Sequence, residues 1–404
     1  MKGFKRACSK TSKKWKNECQ PDNIVIAKTI LKETLVLKTV TEIISGAQGL
    51  LDIGFELQFC FEETLNNQQK AFLHMLRCLE EYLPTLFRPY AGTGRKPYQY
   101  LPFLKSQFAK SYFKIAATSN LIERLKADPN LRLLCGFKRV PGKASFSRAL
   151  TYLTERNILD ETLGRLAKGT FENKVVYHVC RDSTAINARE TVEKKKKKKP
   201  IKRREKRGRP RKTEEKQEKK EKRPNEMEKQ LTEEPSVSLE RLNKKCTVGY
   251  KCNSHGNYTF WKGYKLHLDV SDSGFPISAY VTGADVPDCF LAIPLEKITE
   301  QRVTFCYSLM DKGYDANRIH SFIKSRERVP IIDLKKRSNG NCPELDPAKK
   351  ERYKIRTTVE RANSHLKDSF IPKAIYVKGY SKVSFVLLSA VLCLAALKHL
   401  QFLC

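Results

Sequence analysis

The chain has 404 residues and carries 78 lysines and arginines against 44 acidic residues, a formal net charge of +34. That length allows two or three domains with ample core, and so basic a balance points to a polyanionic partner. An apolar content of 40% excludes a wholly disordered chain, and thirteen cysteines, odd in number and without short-spaced pairs, fit a reducing compartment better than a disulfide framework.

Residues 1–20 read as a lysine-rich, disordered arm. No apolar stretch follows Met1, Lys2, Phe4, Lys5 and Arg6, so a secretory signal is not expected and the protein is placed inside the cell. Residues 21–165 read as a helical domain. Over 68–88 the apolar residues Phe72, Met75, Leu76, Leu79, Tyr82 and Leu83 recur at helical spacing. Phe103 to Leu125 holds two further helical runs, and Asp128-Pro129 restarts a short helix that ends at Gly136. Beyond Val140-Pro141-Gly142, Ser145 is placed to cap a helix through Asn157 with Phe146, Leu150 and Leu153 as its apolar face. A helix, a turn and a second helix bearing Arg148 suit a helix-turn-helix in a major groove, and equally a bundle without base contacts.

A basic insert occupies 189–247. Between Lys194 and Lys212 fourteen basic residues face one acid, Glu205. This segment carries +13, which leaves about +20 on the rest of the chain. Thr213 to Lys245 mixes Glu and Lys with few apolar residues, as a solvated linker or loose helix does. Cys246, Cys252 and His255 match no regular zinc spacing.

From 170 to 404 the pattern turns to period two. Strands are expected at Val175–Cys180, Phe260–Val270, Phe275–Val281, Val303–Met310 and Val329–Leu334, with a turn at Ser271-Asp272-Ser273-Gly274. Helices are expected near 286–299, 315–326, 348–368 and 382–402. The apolar run Val383 to Leu397 falls short of the roughly 20 residues of a membrane span and reads as a buried helix. The order implies an α/β fold, a mixed sheet flanked by helices.

Two acids stand at strand ends: Asp182 just past the first strand, and Asp311 directly after the buried strand 303–310. Strand ends are where sites form in open α/β sheets. Two neighbouring carboxylates repel unless a cation lies between them, and hard oxygen ligands suit Mg²⁺. A third acid, Glu360, lies on a helix with Tyr353, Arg356 and Lys367. At about 100° per residue these four fall within an arc of roughly 60°. A plain i, i+4 salt bridge between Arg356 and Glu360 is the simpler reading of that face. Asp269, Asp285, Asp288 and Asp315 are rival carboxylates. Asp288 and Asp315 are assigned to helix capping. Trp261-Lys262-Gly263-Tyr264-Lys265 suits either DNA contact or packing on the sheet.

Asp182-Ser183-Thr184, Asp311-Lys312-Gly313-Tyr314-Asp315 and Tyr353-x2-Arg356-x3-Glu360-x6-Lys367 together resemble the DDE transposases of bacterial insertion sequences, in the insertion-sequence-four-like group marked by a Y-R-E-K pattern. The resemblance covers about residues 100–400, and Leu134-Cys135-Gly136-Phe137 is similar to the helical N-terminal domain of those enzymes. It implies a ribonuclease-H-like core with Asp182, Asp311 and Glu360 as catalytic, metal-binding acids. Two Mg²⁺ ions, or Mn²⁺, would activate a water or 3′-hydroxyl for in-line displacement at phosphorus. Arg356 and Lys367 would hold phosphates, and Tyr353 would contact the terminal nucleotides. The implied function is cleavage of double-stranded DNA at terminal inverted repeats and joining to target DNA, by a homodimer that holds two ends, in the nucleoid of a bacterial cytoplasm and without a membrane. Asp311 and Glu360 are only 49 positions apart. This leaves little room for the β-insertion of some relatives; here the extra length lies between the first two acids.

Within the insert, Arg207, Gly208, Arg209 and Pro210 resemble the core of an AT-hook, which lies in the narrow minor groove of A·T-rich DNA. A catalytically inactive DNA-binding derivative and a Mg²⁺-dependent nuclease on the same fold are the other two readings.

Overall fold

The computed structural model describes residues 64–86, 92, 97–192, 225–252, 256–335 and 344–403. The chain divides into two compact units, Met1–Ala71 with Leu125–Val140, and Phe72–Arg124 with Pro141–Cys404. Helices come first: α1 (Asn67–Tyr82), α2 (Tyr100–Tyr112), α3 (Thr118–Ala127), α4 (Pro129–Leu134), α5 (Lys143–Thr154) and α6 (Ile158–Thr170).

In the first unit Asp128 performs two tasks. Its carboxylate accepts the Leu131 amide at 3.0 Å, capping α4. It also accepts both bonds of the Gln69 amide, at 3.1 and 3.0 Å. Leu131, Leu134, Cys135 and Phe137 are buried beside it. Gly136, at φ +82°, ends this turn, as glycine past a helix C-terminus does.

In the second unit α5 begins at Lys143, with Gly142 in extended conformation at its N-cap. Ser145 therefore lies inside the helix and does not cap it. The buried face is Phe146, Ala149 and Leu153, so Ala149 takes the place expected of Leu150.

A six-stranded mixed sheet follows: β1 (Val176–Asn187), β2 (Thr247–Cys252), β3 (Tyr258–Ser271), β4 (Pro276–Gly283), β5 (Phe305–Met310) and β6 (Val329–Ile332). The order is β2-β3-β1-β5-β6, with β4 also on β3. β3 is antiparallel to β1, β2 and β4, whereas β1–β5 and β5–β6 are parallel. β3 is long enough to serve two partners along one edge: Tyr258–Gly263 pair with β2, and Tyr264–Val270 with β4. Because β1 reaches only as far as Gly263, the first half of β3 and all of β2 extend from the sheet as a two-stranded ribbon. At the root of that ribbon a Cβ on Gly263 would lie 2.1 Å from the Ile186 carbonyl oxygen, so only glycine fits there. β2 lies at the expected end of the basic insert; its Val248, Tyr250 and Cys252 alternate with Thr247, Gly249 and Lys251 as strand residues do, but over six residues only.

Between the strands lie α7 (Glu226–Thr232), α8 (Pro235–Glu240), α9 (Cys289–Glu300) and α10 (Asn317–Ser325). Thr213 to Lys245 is expected to be a solvated linker or a loose helix; its described part, 225–245, is helical and packed rather than solvated. α7 and α8 pack on α9 and bury Met227, Leu239 and Leu242. Lys297 of α9 donates to the carbonyls of Leu231 at 3.1 Å and Glu233 at 2.7 Å. The apolar residues are few, but their spacing sets them on one neighbour.

The chain ends in α11 (Pro347–Tyr353), α12 (Thr357–His365) and α13 (Tyr380–Leu403). α13 has 24 residues, longer than its apolar run suggested and by length and composition enough to cross a membrane. Here it packs against α2, α5, α6 and β4, and Val383, Leu387, Val391 and Leu394 are buried, so it is the core helix of this unit.

Candidate active site

The strand register sets the site. Arg181 of β1 pairs with Met310 of β5, so the next residues on these parallel strands, Asp182 and Asp311, stand side by side. Sequence reading placed Asp182 beyond a strand ending at Cys180. In the structure β1 continues to Asn187, because Ser183–Asn187 go on pairing with β3, and Asp182 lies mid-strand. Neighbouring strand residues face opposite sides. Arg181 points to the α9 side, where it is fully buried. It donates to both oxygens of Asp269 at 2.6 Å, to the Ala292 carbonyl at 2.6 Å and to Glu296 at 3.1 Å. Asp182 points to the α12 side and accepts from Asn363 Nδ2 at 3.2 Å.

Among the described residues neither carboxylate has a cationic side chain as a hydrogen-bond partner. Burial pushes the Asp182 carboxyl up to about 6, with Arg356 and Lys251 opposing the shift and Asp311 adding to it. Asp311 is raised too, chiefly by burial and against the amide of Gly313, which donates to it at 2.8 Å. Two buried oxygens near the pair, Asn363 Oδ1 and the Tyr314 hydroxyl, have no hydrogen-bond partner among the described residues. An all-oxygen set, electrostatically under-compensated and with orphaned donors beside it, fits a hard divalent cation.

The Tyr353–Lys367 segment is not the single straight helix drawn from the sequence. Tyr353 ends α11, Lys354–Arg356 form a 3₁₀ turn, Glu360 is on α12, and Leu366–Phe370 widen into a π turn that holds Lys367. A tighter turn followed by a wider one changes the angle per residue, so a uniform 100° does not describe the face. The guanidinium carbon of Arg356 lies 5.7 Å from the Tyr353 ring centroid. Burial holds the Tyr353 hydroxyl up at about 12. Burial, and then Lys251, lower the Lys367 ammonium, while Asp182 opposes them. Arg356 acts electrostatically on both aspartates, Tyr353 on Asp311 and Lys367 on Asp182. Glu360 is half-exposed and ion-paired to Arg356. Among the described residues no three His, Cys, Asp or Glu side chains converge on one point.

The rival acids have other partners. Asp269 belongs to the Arg181 network, and Asp285 accepts from Asn243 and Thr247, both at 2.9 Å. Asp288 stands at the N-cap of α9, as expected, but its side chain makes no cap bond and instead accepts from Lys265 at 2.9 Å. Asp315 does not cap α10, whose N-cap is Ala316; it receives His320 Nε2 at 3.1 Å and the Lys335 amide at 3.0 Å. Trp261 packs over Gly249 and donates to the Tyr264 carbonyl at 3.2 Å. Arg207, Gly208, Arg209 and Pro210 lie outside the described residues. Asn363 and Lys251 carry no signal that the sequence motifs include, although Asn363 lies three residues past Glu360 on the same helix; Tyr314 lies within the Asp311–Asp315 run, without a role assigned to it there.

Comparison with protein families gives two matches. A family model described as "Transposase DDE domain" matches residues 174–396, and one described as "Transposase domain (DUF772)" matches residues 63–151. No curated protein and no solved structure matches the chain.

Proposed function

The chain belongs to the transposases with a DDE domain, whose sheet-and-helix core is ribonuclease-H-like and whose partner is DNA, and on that premise we propose that it cuts the ends of its element and joins them to target DNA. The observation that carries this reading is the pair Asp182 and Asp311, adjacent on parallel strands and both raised by burial. Asp182, Asp311 and Glu360 would hold two Mg²⁺ or Mn²⁺ ions. When bound, such ions act as Lewis acids toward the attacking and leaving oxygens of a phosphodiester.

The chain's own residues do the rest. Asn363 fixes the Asp182 carboxylate against α12. Glu360 must release Arg356 to join the two aspartates, and the freed guanidinium then faces the scissile phosphate. Lys367 supplies a second positive charge on that side, and Tyr353 stacks on or hydrogen-bonds to terminal nucleotides. Arg207-Gly208-Arg209-Pro210 would tether the protein in an A·T-rich minor groove, with Lys194–Lys199 on phosphates. A homodimer would hold two ends together in the bacterial nucleoid.

One observation favours a second reading, a DNA-binding protein without catalysis: Glu360 is engaged by Arg356, apart from the aspartates. A Mg²⁺ assay with labelled element ends and a supercoiled target separates the readings. Covalently joined product supports a transposase, cut ends alone a nuclease, and bound uncut ends the inactive derivative.

A further inference from the structure

The ribbon formed by β2 and the first half of β3 carries an unusual face. Tyr250, Tyr258 and Phe260 are 67%, 60% and 70% exposed. Tyr250 and Phe260 are cross-strand partners, and Tyr258 is two residues from Phe260, so all three share one side of the ribbon. Their ring centroids lie 6.1 to 6.5 Å apart at interplanar angles of 28° to 53°. The three rings neighbour one another, and each keeps more than half of its surface in solvent. Three large aromatic rings left in water on a protruding ribbon mark an interaction surface. Trp261 explains why the ribbon is stiff enough to present them. Its indole lies across Gly249 on the other side, where a Cβ would come within 2.5 Å of the ring.

The charge of the ribbon identifies the partner. From Thr247 to Gly263 there are two lysines, Lys251 and Lys262, and no acidic residue. Two such ribbons from two copies would repel each other, whereas a polyanion is attracted. A duplex offers phosphates but keeps its bases stacked. Only unpaired bases present faces that aromatic rings can stack on. Position supplies the last argument. Asp182 pairs with Leu268 on β3, and Phe260 and Tyr258 lie eight and ten residues from Leu268 along the same strand, so strand alternation sets the rings on the face of the sheet that Asp182 occupies. A strand whose phosphate lies at the aspartates therefore passes the ribbon.

We infer that Tyr250, Tyr258 and Phe260 form a stacking platform for the unpaired bases of a DNA strand leaving the cleavage site. The inference rests on the reading of Asp182 and Asp311 as that site.

The test uses the full-length protein in EDTA, so that no strand is cut. Two fluorescent DNAs are compared by anisotropy, a fully paired duplex and the same duplex with a short unpaired tail containing 2-aminopurine. The wild type should bind the tailed DNA more tightly and quench 2-aminopurine. Combined Tyr250→Ala, Tyr258→Ala and Phe260→Ala should weaken tailed binding by at least about fivefold and leave paired binding unchanged. Phe260→Tyr, which keeps the ring, should behave as the wild type, and the wild-type quenching stands as evidence even if the triple variant does not fold. Absence of quenching by the wild type, equal loss on both DNAs, or conversion of a dimer to a monomer in light scattering overturns the platform. Failure of the cleavage reading would appear separately, as cutting by Asp182→Asn in Mg²⁺, and would leave tail binding as measured.

Discussion

Arg181 grips both carboxylate oxygens of Asp269 at 2.6 Å, and its chain neighbour Asp182 faces the opposite side of the sheet. One strand thus carries a buried, fully paired charge on one face and an under-compensated charge on the other. The first fixes the position of the second. Glu296, Ser308, Thr299 and Ser278 extend the network, tying β1, β3, β4, β5 and α9 together. Removing one member of a buried ion pair leaves the others uncompensated. Arg181→Met should lower stability by about 3–5 kcal/mol in urea denaturation. Adding Asp269→Leu to that variant should recover part of the loss.

The raised carboxyl of Asp182 has a stability consequence. A carboxylate whose folded value lies above its unfolded one contributes stability at low pH and loses it as pH rises through the folded value, here about 6. Ionised Asp182 is therefore a cost at pH 7. Asp182→Asn should raise stability at pH 7 by about 1–2 kcal/mol, after allowance for its partial contact with water. The gain should vanish below about pH 4. Thermal melts of both proteins across pH 3–8 check this.

α8 gives a test of the insert's second half. Leu239 is buried against α9, so Leu239→Ala should cost about 2–4 kcal/mol in chemical denaturation. A solvated linker would show no change.

The segment Lys194–Lys212 carries fourteen basic residues. Its deletion should make the slope of log affinity against log salt markedly shallower, because fewer counterions are released on binding. Gel shifts at several salt concentrations on A·T-rich duplex measure that slope.

The sequence exposed some of these features and hid others, for physical reasons. β5 was legible because it is apolar on nearly every residue, and Asp311 follows it directly. Asp182 was found, but its strand was drawn too short: polar Ser183 and Thr184 break the apolar run although the backbone pairing continues. One ideal helix relates Tyr353, Arg356 and Lys367 in the sequence, whereas the chain holds Arg356 in a 3₁₀ turn and Lys367 in a π turn, departures that apolar spacing does not signal. The Arg181–Asp269 pair spans 88 positions, and no local pattern signals such a contact. The aromatic ribbon was hidden because exposure is a property of tertiary structure; Trp261 drew notice, yet it is the packed ring, and Tyr250 and Phe260 are the open ones.

The central claim is that Asp182, Asp311 and Glu360 act together on DNA, and its direct test is strand cleavage and joining by Asp182→Asn, Asp311→Asn and Glu360→Gln, each assayed in Mg²⁺ with labelled element ends beside a gel shift on the same ends. The account predicts that all three variants lose cleavage and joined product while their affinity for the ends stays within about twofold of wild type. Cutting by any one of them contradicts it.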